Sequence, residues 1–176
     1  MKKLTAFILA AVLLLSLGAI ALADGTTTLT TTVPAATYTL TIPEDVTVTY
    51  GVHSVYVGEL DAEATSGFAV GKNLKVTMTY IPFSCESVST TIPYEVEGFI
   101  CSKTGTYSYG MLESGCSFLF ICTDTNKIFP SNLSGSPNFD NYRLDLCFSN
   151  ADWGKALAGD YTATMTFTSE IVAAEE

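Results

Sequence analysis

One stretch decides the fold: Tyr161-Thr162-Ala163-Thr164-Met165-Thr166-Phe167-Thr168. Its odd positions are apolar or aromatic, and a threonine occupies every even position. A period of two directs alternate side chains to opposite faces of a β-strand, whereas a helix would scatter the same residues around its whole circumference. Threonine is β-branched and suits a half-buried pleated surface. The stretch therefore predicts a strand whose inward side chains are Tyr161, Ala163, Met165 and Phe167.

The same alternation recurs in Tyr38–Ile42 and Leu74–Tyr80. Further strands are predicted at Thr28–Val33, Val46–Tyr50, Val55–Leu60, Ile92–Val96, Ser117–Cys122 and Tyr142–Phe148. Turn-forming Gly, Pro, Asn and Asp residues separate these segments, and Ala151–Ala158 indicates only a short helix. Short strands at this spacing predict an all-β, antiparallel, Ig-like β-sandwich.

The middle of the chain, residues 82–150, has a different texture. It holds all five cysteines and longer loops, and we interpret it as an elaboration of a single sandwich domain over residues 24–176. Its segment Ser117–Cys122 is apolar on both faces, with phenylalanines on one face and Leu119 and Ile121 on the other. Such a strand is predicted to lie inside a sheet that is covered on both sides.

The N-terminus has the layout of a secretory signal peptide. Lys2 and Lys3 precede the apolar run Leu4–Leu22, and a small-x-small site ends at Ala23. We expect residues 1–23 to be removed and the mature chain to be secreted, extracellular or associated with the cell surface. An uncleaved anchor is the alternative, because about 20 apolar residues can span a bilayer.

The charge of the predicted mature chain restricts its partners. Without Lys2 and Lys3, six basic residues oppose 18 acidic ones, which gives a formal charge of −12. Such a surface repels phosphate groups, so we expect no nucleic-acid partner, and contact with a membrane only if the signal segment stays attached.

Three pieces of the chain carry a family resemblance: Val33–Pro43, Gly71–Thr77 and Ala158–Thr168. They resemble small secreted surface proteins of Gram-positive gut bacteria. They are more loosely similar to the fimbrial and coat-protein-U-like β-sandwich families. The resemblance implies an Ig-like sandwich and a surface or extracellular role, and it carries no catalytic residue and no ligand. The cysteine-bearing middle region departs from the pattern.

The five cysteines are the first candidates for a special role: Cys85, Cys101, Cys116, Cys122 and Cys147. Disulfides are predicted for an exported protein, and an odd count allows at most two within one chain. Cys116 and Cys122 should not pair with each other, because six strand residues span about 20 Å and a bridge needs Cα atoms within about 7 Å. Buried free thiols are the alternative.

Catalytic and metal-binding motifs are not evident. The only histidine is His53, and no nucleophile motif accompanies it, so a Ser-His-Asp triad is not predicted. The acids Glu95, Glu97 and Asp145 are interpreted as solvated strand faces rather than a glycosidase pair. Acidic turns that could bind calcium lack the loop motif, and we interpret them as turn-formers: Asp124–Asn126, Asp140–Asn141 and Asn150–Asp152. Asn132-Leu133-Ser134 fits a glycosylation pattern that we attribute to chance. No enzyme activity, metal or cofactor is predicted.

Two features indicate contact with other molecules. Tyr107, Tyr109 and Trp153 are candidate ligand-facing aromatics, although a hairpin face and a core plug are the simpler interpretations. The Thr-rich segment Thr26–Val33 could add to a sheet edge of another copy or pair within its own domain. The resulting hypothesis is a non-enzymatic structural or adhesive protein whose partners are cell-wall or host glycans or surface proteins. A carbohydrate-binding module and a secreted hydrolase of unknown type are the alternatives.

Overall fold

The computed structural model describes residues 31–32, 35–131 and 139–174. The chain divides into two compact units, Met1–Thr32 and Val33–Glu176. Of the first unit only Thr31 and Thr32 are described, so the predicted signal peptide lies outside the described residues. The predicted strand Thr28–Val33 also lies outside them, except for Thr31 and Thr32, which are exposed and have no regular structure.

The second unit is built almost entirely from antiparallel strands, which confirms the all-β prediction. The strands are β1 (Thr37–Thr41), β2 (Ser54–Ser66), β3 (Lys72–Tyr80), β4 (Phe83–Cys85), β5 (Val88–Ile92), β6 (Glu95–Ser102), β7 (Gly105–Leu112), β8 (Ser117–Asp124), β9 (Lys127–Pro130), β10 (Asn141–Cys147) and β11 (Met165–Ala173). One short helix, α1 (Asn150–Trp153), follows β10. No helix among the described residues is long and apolar enough to cross a membrane.

The strands form a five-stranded sheet in the order β1-β2-β10-β6-β7, a four-stranded sheet in the order β11-β3-β8-β9, and the small β4-β5 ribbon. The long strand β2 belongs to two ladders, because residues 61–66 pair with β1 and residues 54–60 pair with β10. One core joins side chains of both larger sheets, including Leu60, Leu144, Leu74, Phe118 and Phe120. This arrangement is consistent with a β-sandwich.

Tyr142 on β10 shows how the two larger sheets are joined. Its ring is fully buried and lies 4.9 Å from the Phe118 ring and 5.4 Å from the Phe120 ring, centroid to centroid. Its hydroxyl donates to the carbonyl of Leu119 at 2.9 Å. Burial raises the pKa of this phenol far above its usual range. A buried hydroxyl that is bonded across the sheets adds a directional contact to the apolar core.

The prediction for Ser117–Cys122 is correct in position and only partly correct in coverage. β8 lies between β3 and β9, so it is an internal strand. Phe118, Phe120 and Cys122 are buried, whereas Leu119 and Ile121 on the other face are only partly buried. Core packing therefore explains one face of the strand, and the outer face keeps some contact with solvent.

Two of the predicted strands are wrong for reasons that involve proline. Residues 46–50 form no strand, because Pro43 has no N–H to continue the β1–β2 ladder. Pro43 instead packs on Gly58, where a Cβ would come within 2.9 Å of the proline Cα. The predicted strand Ile92–Val96 is split, since β5 ends before Pro93 and β6 begins at Glu95.

The decisive stretch forms a strand over part of its predicted length. β11 begins at Met165, and upstream of it Thr162 makes an isolated bridge with Ser84 through two main-chain hydrogen bonds of 2.9 Å. The four predicted inward side chains all pack against the core, but each is partly rather than fully buried. The direction of the side chains is therefore confirmed. Met165 and Phe167 are only partly buried because β11 is an edge strand, and Tyr161 and Ala163 lie before the strand begins.

Candidate functional site

One cavity of the described structure is a groove of about 610 Å³. Its walls are two irregular segments, residues 47–50 and 156–161, and its floor includes Phe83, Ile92 and Trp153. We call this cavity the aromatic groove. Neither wall belongs to a strand, so the groove lies where regular pairing stops.

Helix α1 fixes one wall of the aromatic groove. Ser149 caps the helix in a reciprocal arrangement with Asp152, in which each side chain bonds the other residue's backbone N–H. These hydrogen bonds from Ser149 lower the pKa of the Asp152 carboxyl. The cap positions Trp153, whose indole N–H donates to the carbonyl of Val52 at 2.7 Å and whose ring stacks on Phe148 at 4.7 Å. Trp153 is 8% exposed and supports the wall from behind.

Tyr50 presents the exposed ring of the aromatic groove. It meets Trp153 edge to face, with the ring centroids 5.3 Å apart, and 72% of the residue remains exposed. Single exposed apolar residues are common, so the exposure of Tyr50 gains its meaning from the cavity that the ring lines. The supported and open ring is suited to contact a ligand.

Tyr161 and Leu157 form the opposite wall. The Tyr161 hydroxyl accepts a hydrogen bond from the Leu157 N–H at 3.1 Å and lies 2.8 Å from the Thr90 hydroxyl. Gly159 lies in the same wall, where a Cβ would come within 2.7 Å of the Cys85 sulfur. Only glycine lets the chain pass this close to β4, and the carboxylate of Asp160 lines the groove directly after it.

A second cavity of about 460 Å³ adjoins the aromatic groove, and both share Phe83 and Tyr161 in their linings. It runs between residues 42–46 and the inner side of β11, and Glu44 and Asp45 contribute carboxylates. No Lys, Arg or His lines either cavity. The two cavities together form a trough with aromatic walls and only negative charges.

The acids that the sequence singled out lie elsewhere, on the outer face of the five-stranded sheet. Glu97 and Asp145 are directly opposite each other on β6 and β10. Asp145 is 6% exposed, so its interpretation as a solvated residue is wrong. Arg143 shields it and donates two hydrogen bonds of 2.8 Å to its carboxylate. The guanidinium carbon also lies 5.0 Å from the Tyr56 ring centroid and 5.5 Å from that of Phe99.

We call these four residues the Arg143 cluster: Tyr56, Phe99, Arg143 and Asp145. Hydrogen bonding of the guanidinium to Asp145 raises the pKa of Arg143, so Arg143 stays positively charged. A carboxylate with both oxygens bonded to a guanidinium lacks a free oxygen for proton transfer to a substrate. This arrangement fits a structural ion pair better than a glycosidase pair.

All five cysteines are free, which makes the disulfide prediction wrong and matches the alternative of free thiols. Cys101 and Cys147 lie on neighbouring strands, but their cross-strand partners are Asn141 and Glu95, at opposite ends of the β6–β10 ladder. Cys85 is on β4, Cys122 is on β8 and Cys116 directly precedes β8. The thiols are therefore distributed over separate positions of the fold rather than facing one another.

The thiols differ in acidity. Burial raises the pKa of Cys147, and the neighbouring carboxylates of Glu97, Asp145 and Glu95 add to the effect. Burial also raises the pKa of Cys116. Hydrogen bonding with Ser87 lowers the pKa of Cys85, whose sulfur lies 3.1 Å from the serine oxygen.

The three candidate aromatics do not form one surface. Tyr107 on β7 is 53% exposed and meets Phe139 edge to face. Tyr109 is partly buried against Tyr142, and burial raises its pKa. Trp153 lies in the floor of the aromatic groove, and no ring contact within the described residues joins it to either tyrosine. Tyr109 and Trp153 thus match the simpler packing interpretations.

The remaining candidates have local structural partners. A ring nitrogen of His53 lies 3.1 Å from the carbonyl oxygen of Phe148. Asp124 accepts a hydrogen bond from the Thr125 N–H at 2.7 Å, as a turn-forming side chain does, and Asp152 caps α1. Within the described ranges, no group of three or more His, Cys, Asp or Glu side chains could hold a metal. The glycosylation pattern Asn132–Ser134 falls outside these ranges.

Of the residues that line the groove, the sequence singled out Trp153 but not Tyr50, Tyr161 or Asp160 as candidates for binding. The sequence predicts Tyr50 at the end of a strand and Tyr161 as an inward strand residue. A usable signal was present, since Tyr50 directly precedes Gly51 and Tyr161 follows Gly159-Asp160. Gly and Asp favour turns, so both tyrosines lie next to points where strand pairing is expected to stop.

Comparison with protein-family models, with curated proteins and with solved structures found no match. The resemblance to secreted surface proteins therefore stays a prediction.

Proposed function

We propose that this chain is a secreted or cell-surface protein with an Ig-like sandwich fold and a structural or adhesive, non-catalytic role. The observation that carries the proposal is the aromatic groove. It offers an exposed tyrosine, a supporting tryptophan and one carboxylate, and its lining holds no Ser, Cys or His nucleophile or base. Such a lining can bind and orient a partner but has little with which to transform it.

The proposal is tested by attachment of the purified mature chain, residues 24–176, to intact cells and to arrays of surface glycans. Tyr50→Ala should weaken attachment at least severalfold, because it removes the exposed ring. Tyr107→Ala is the matched control, since it removes a similarly exposed tyrosine from strand β7. Equal attachment by both variants, or no attachment by the parent protein, would argue against the proposal.

A carbohydrate-binding module is the second candidate. Tyr50 supports it, because an open ring held in place by Trp153 can pack against the apolar face of a sugar while Asp160 accepts hydrogen bonds from hydroxyls. Selective glycan binding that Tyr50→Ala abolishes would favour this function. A hydrolase has less support, because Arg143 already occupies the Asp145 carboxylate that faces Glu97. Polysaccharide hydrolysis by the parent protein that is lost in the Glu97→Gln variant would instead support the hydrolase.

Self-association through Thr26–Val33 belongs to the same proposal. Strand β11 is an edge of the four-stranded sheet, so its outer main-chain groups could pair with a strand from another copy. Analytical ultracentrifugation of residues 24–176 and 34–176 tests this idea. The longer chain should associate and the shorter one should not, and a longer chain that is monomeric at high concentration would contradict it.

A further inference from the structure

We propose that the aromatic groove and its adjoining cavity bind a cationic peptide in an extended conformation, one in which basic residues alternate with apolar ones. The proposal rests on the proposed binding function and names the chemical class of the partner. It is carried by the charge, the continuity and the free main chain of the trough.

The charge of the trough selects for a cation. Asp160 lines the aromatic groove, Glu44 and Asp45 line the adjoining cavity, and neither lining contains a basic residue. The whole chain has 18 acidic residues against eight basic ones, so its field attracts cations from a distance. A Lys or Arg side chain within about 6 Å of the Tyr50 ring would add a cation–π contact.

The shape of the trough favours an extended ligand. The two cavities share Phe83 and Tyr161, so an extended ligand that packs against these two side chains can contact both cavities. A small organic cation would fill only one of them. Neutral glycans could contact Tyr50, but they would leave all three carboxylates without a counter-charge. These differences favour a peptide over both alternatives.

The main chain along the trough is available for pairing. Among the described residues, no main-chain hydrogen bond involves residues 42–48. Backbone N–H and C=O groups of this kind are met by water, and an extended peptide can replace that water by adding a strand. Side chains of the peptide would then alternate between the trough and solvent.

The rim of the trough supplies apolar contacts for alternate side chains. Ile42, Val46 and Leu157 are all exposed large hydrophobic residues, and each lines one of the two cavities. An exposed apolar rim beside carboxylates matches a peptide that presents both apolar and basic groups. A purely basic peptide would leave the rim uncovered.

The test uses the purified protein and a fluorescein-labelled octapeptide in which Lys alternates with Val, followed by fluorescence anisotropy. We expect saturable binding that Tyr50→Ala weakens by roughly tenfold, as for an aromatic anchor residue. Asp160→Asn should weaken it severalfold, whereas Glu63→Gln, the same charge change on the outer face of β2, should not. Raising NaCl from about 50 to 200 mM should weaken binding by roughly three- to tenfold.

Two control peptides test whether binding requires positive charge and whether it requires the alternation of basic and apolar residues. An octapeptide with Glu in place of Lys should not bind, and one with four Lys followed by four Val should bind less tightly. Equal binding of the Glu peptide, or equal binding by the Tyr50→Ala protein, would overturn the proposal. If the Lys peptide fails while Tyr50 still controls attachment to cells or glycans, this inference falls and the adhesive function stands. If no attachment depends on Tyr50, both fall.

Discussion

The Arg143 cluster and the aromatic groove combine the same chemical groups, but only one of them contains a cation. In the cluster, Arg143 lies over the Tyr56 ring and bonds a buried carboxylate. In the groove, the Tyr50 ring and the Asp160 carboxylate stand without a basic side chain in the lining. The cluster supplies its own counter-charge, whereas the groove lacks one.

This difference follows from burial and from the supply of basic residues. The chain has only eight Lys and Arg residues, so most of its 18 acids cannot have an internal partner. Asp145 is buried, and an unpaired buried carboxylate costs several kcal/mol. Carboxylates at the edge of an open groove are hydrated and need no internal cation. The comparison therefore separates an ion pair that stabilises the fold from carboxylates that remain available to a partner.

The largest expected effect comes from removing the cation of the cluster. Arg143→Met keeps much of the apolar stem but leaves the Asp145 carboxylate without its two hydrogen bonds. We expect the free energy of unfolding to fall by about 2–3 kcal/mol, which is less than for a fully buried pair because Arg143 itself is partly exposed. Urea denaturation measures the change.

The control for this variant is an exposed ion pair. Lys75 and Glu170 are 3.1 Å apart, and the Glu170 side chain is 62% exposed where that of Asp145 is 9% exposed, so Lys75→Met should cost at most about 0.5 kcal/mol. Replacing Asp145 by Leu in the Arg143→Met protein should restore part of the stability, since the uncompensated charge is gone. An Arg143→Met protein as stable as Lys75→Met would mean that Asp145 is solvated after all.

The second effect comes from adding a cation to the groove. Asp160→Lys would supply the charge that the groove lacks, and it should weaken binding of the Lys–Val peptide by roughly tenfold or more through like-charge repulsion. Asp140→Lys makes the same change of net charge at an exposed position before β10. If both variants weaken binding equally, the peptide responds to overall charge rather than to the groove.

A third and smaller effect compares the two tyrosines. Tyr56→Ala removes a cation–π contact and should lower the free energy of unfolding by about 0.5–1 kcal/mol without affecting peptide binding. Tyr50→Ala should do the opposite, weakening binding while leaving stability nearly unchanged, because most of the Tyr50 side chain is exposed. Denaturation and anisotropy on both variants complete the test. If either variant lowers both the free energy of unfolding and the peptide affinity, the two tyrosines do not have separate structural and binding roles.

The regular strands could be predicted from sequence because their side chains report the fold directly. In β3 the alternation of Leu74, Val76 and Met78 with polar residues matches their burial, since all three are fully buried. The two apolar faces of β8 predicted its internal position in the sheet. Local pattern and tertiary environment agree in these elements.

The groove could not be predicted because its walls depart from the local pattern. Residues 46–50 alternate like a strand, but Pro43 ends the ladder that they would have joined. Asp145 also looked like an outward-facing strand residue, and only the neighbouring Arg143 explains its burial. In both cases the outcome depends on a partner that no single segment specifies.

The smallest expected effect concerns a thiol at the edge of the Arg143 cluster. Cys147 lies on β10, and its sulfur is 3.9 Å from a carboxylate oxygen of Glu97. Burial and the nearby carboxylates disfavour the thiolate and raise the pKa of Cys147. Since the thiolate is the reactive form, alkylation by iodoacetamide should rise at a higher pH than for an ordinary cysteine. Mass spectrometry of the Cys147 peptide across a pH series measures this shift.

Glu97→Gln should move the reactivity profile of Cys147 back toward lower pH, because it removes one neighbouring negative charge. Glu63→Gln, a change on another strand, should leave it in place. A Cys147 that reacts at or below the usual pH would show that Arg143 rather than the carboxylates dominates the field at this end of the sheet.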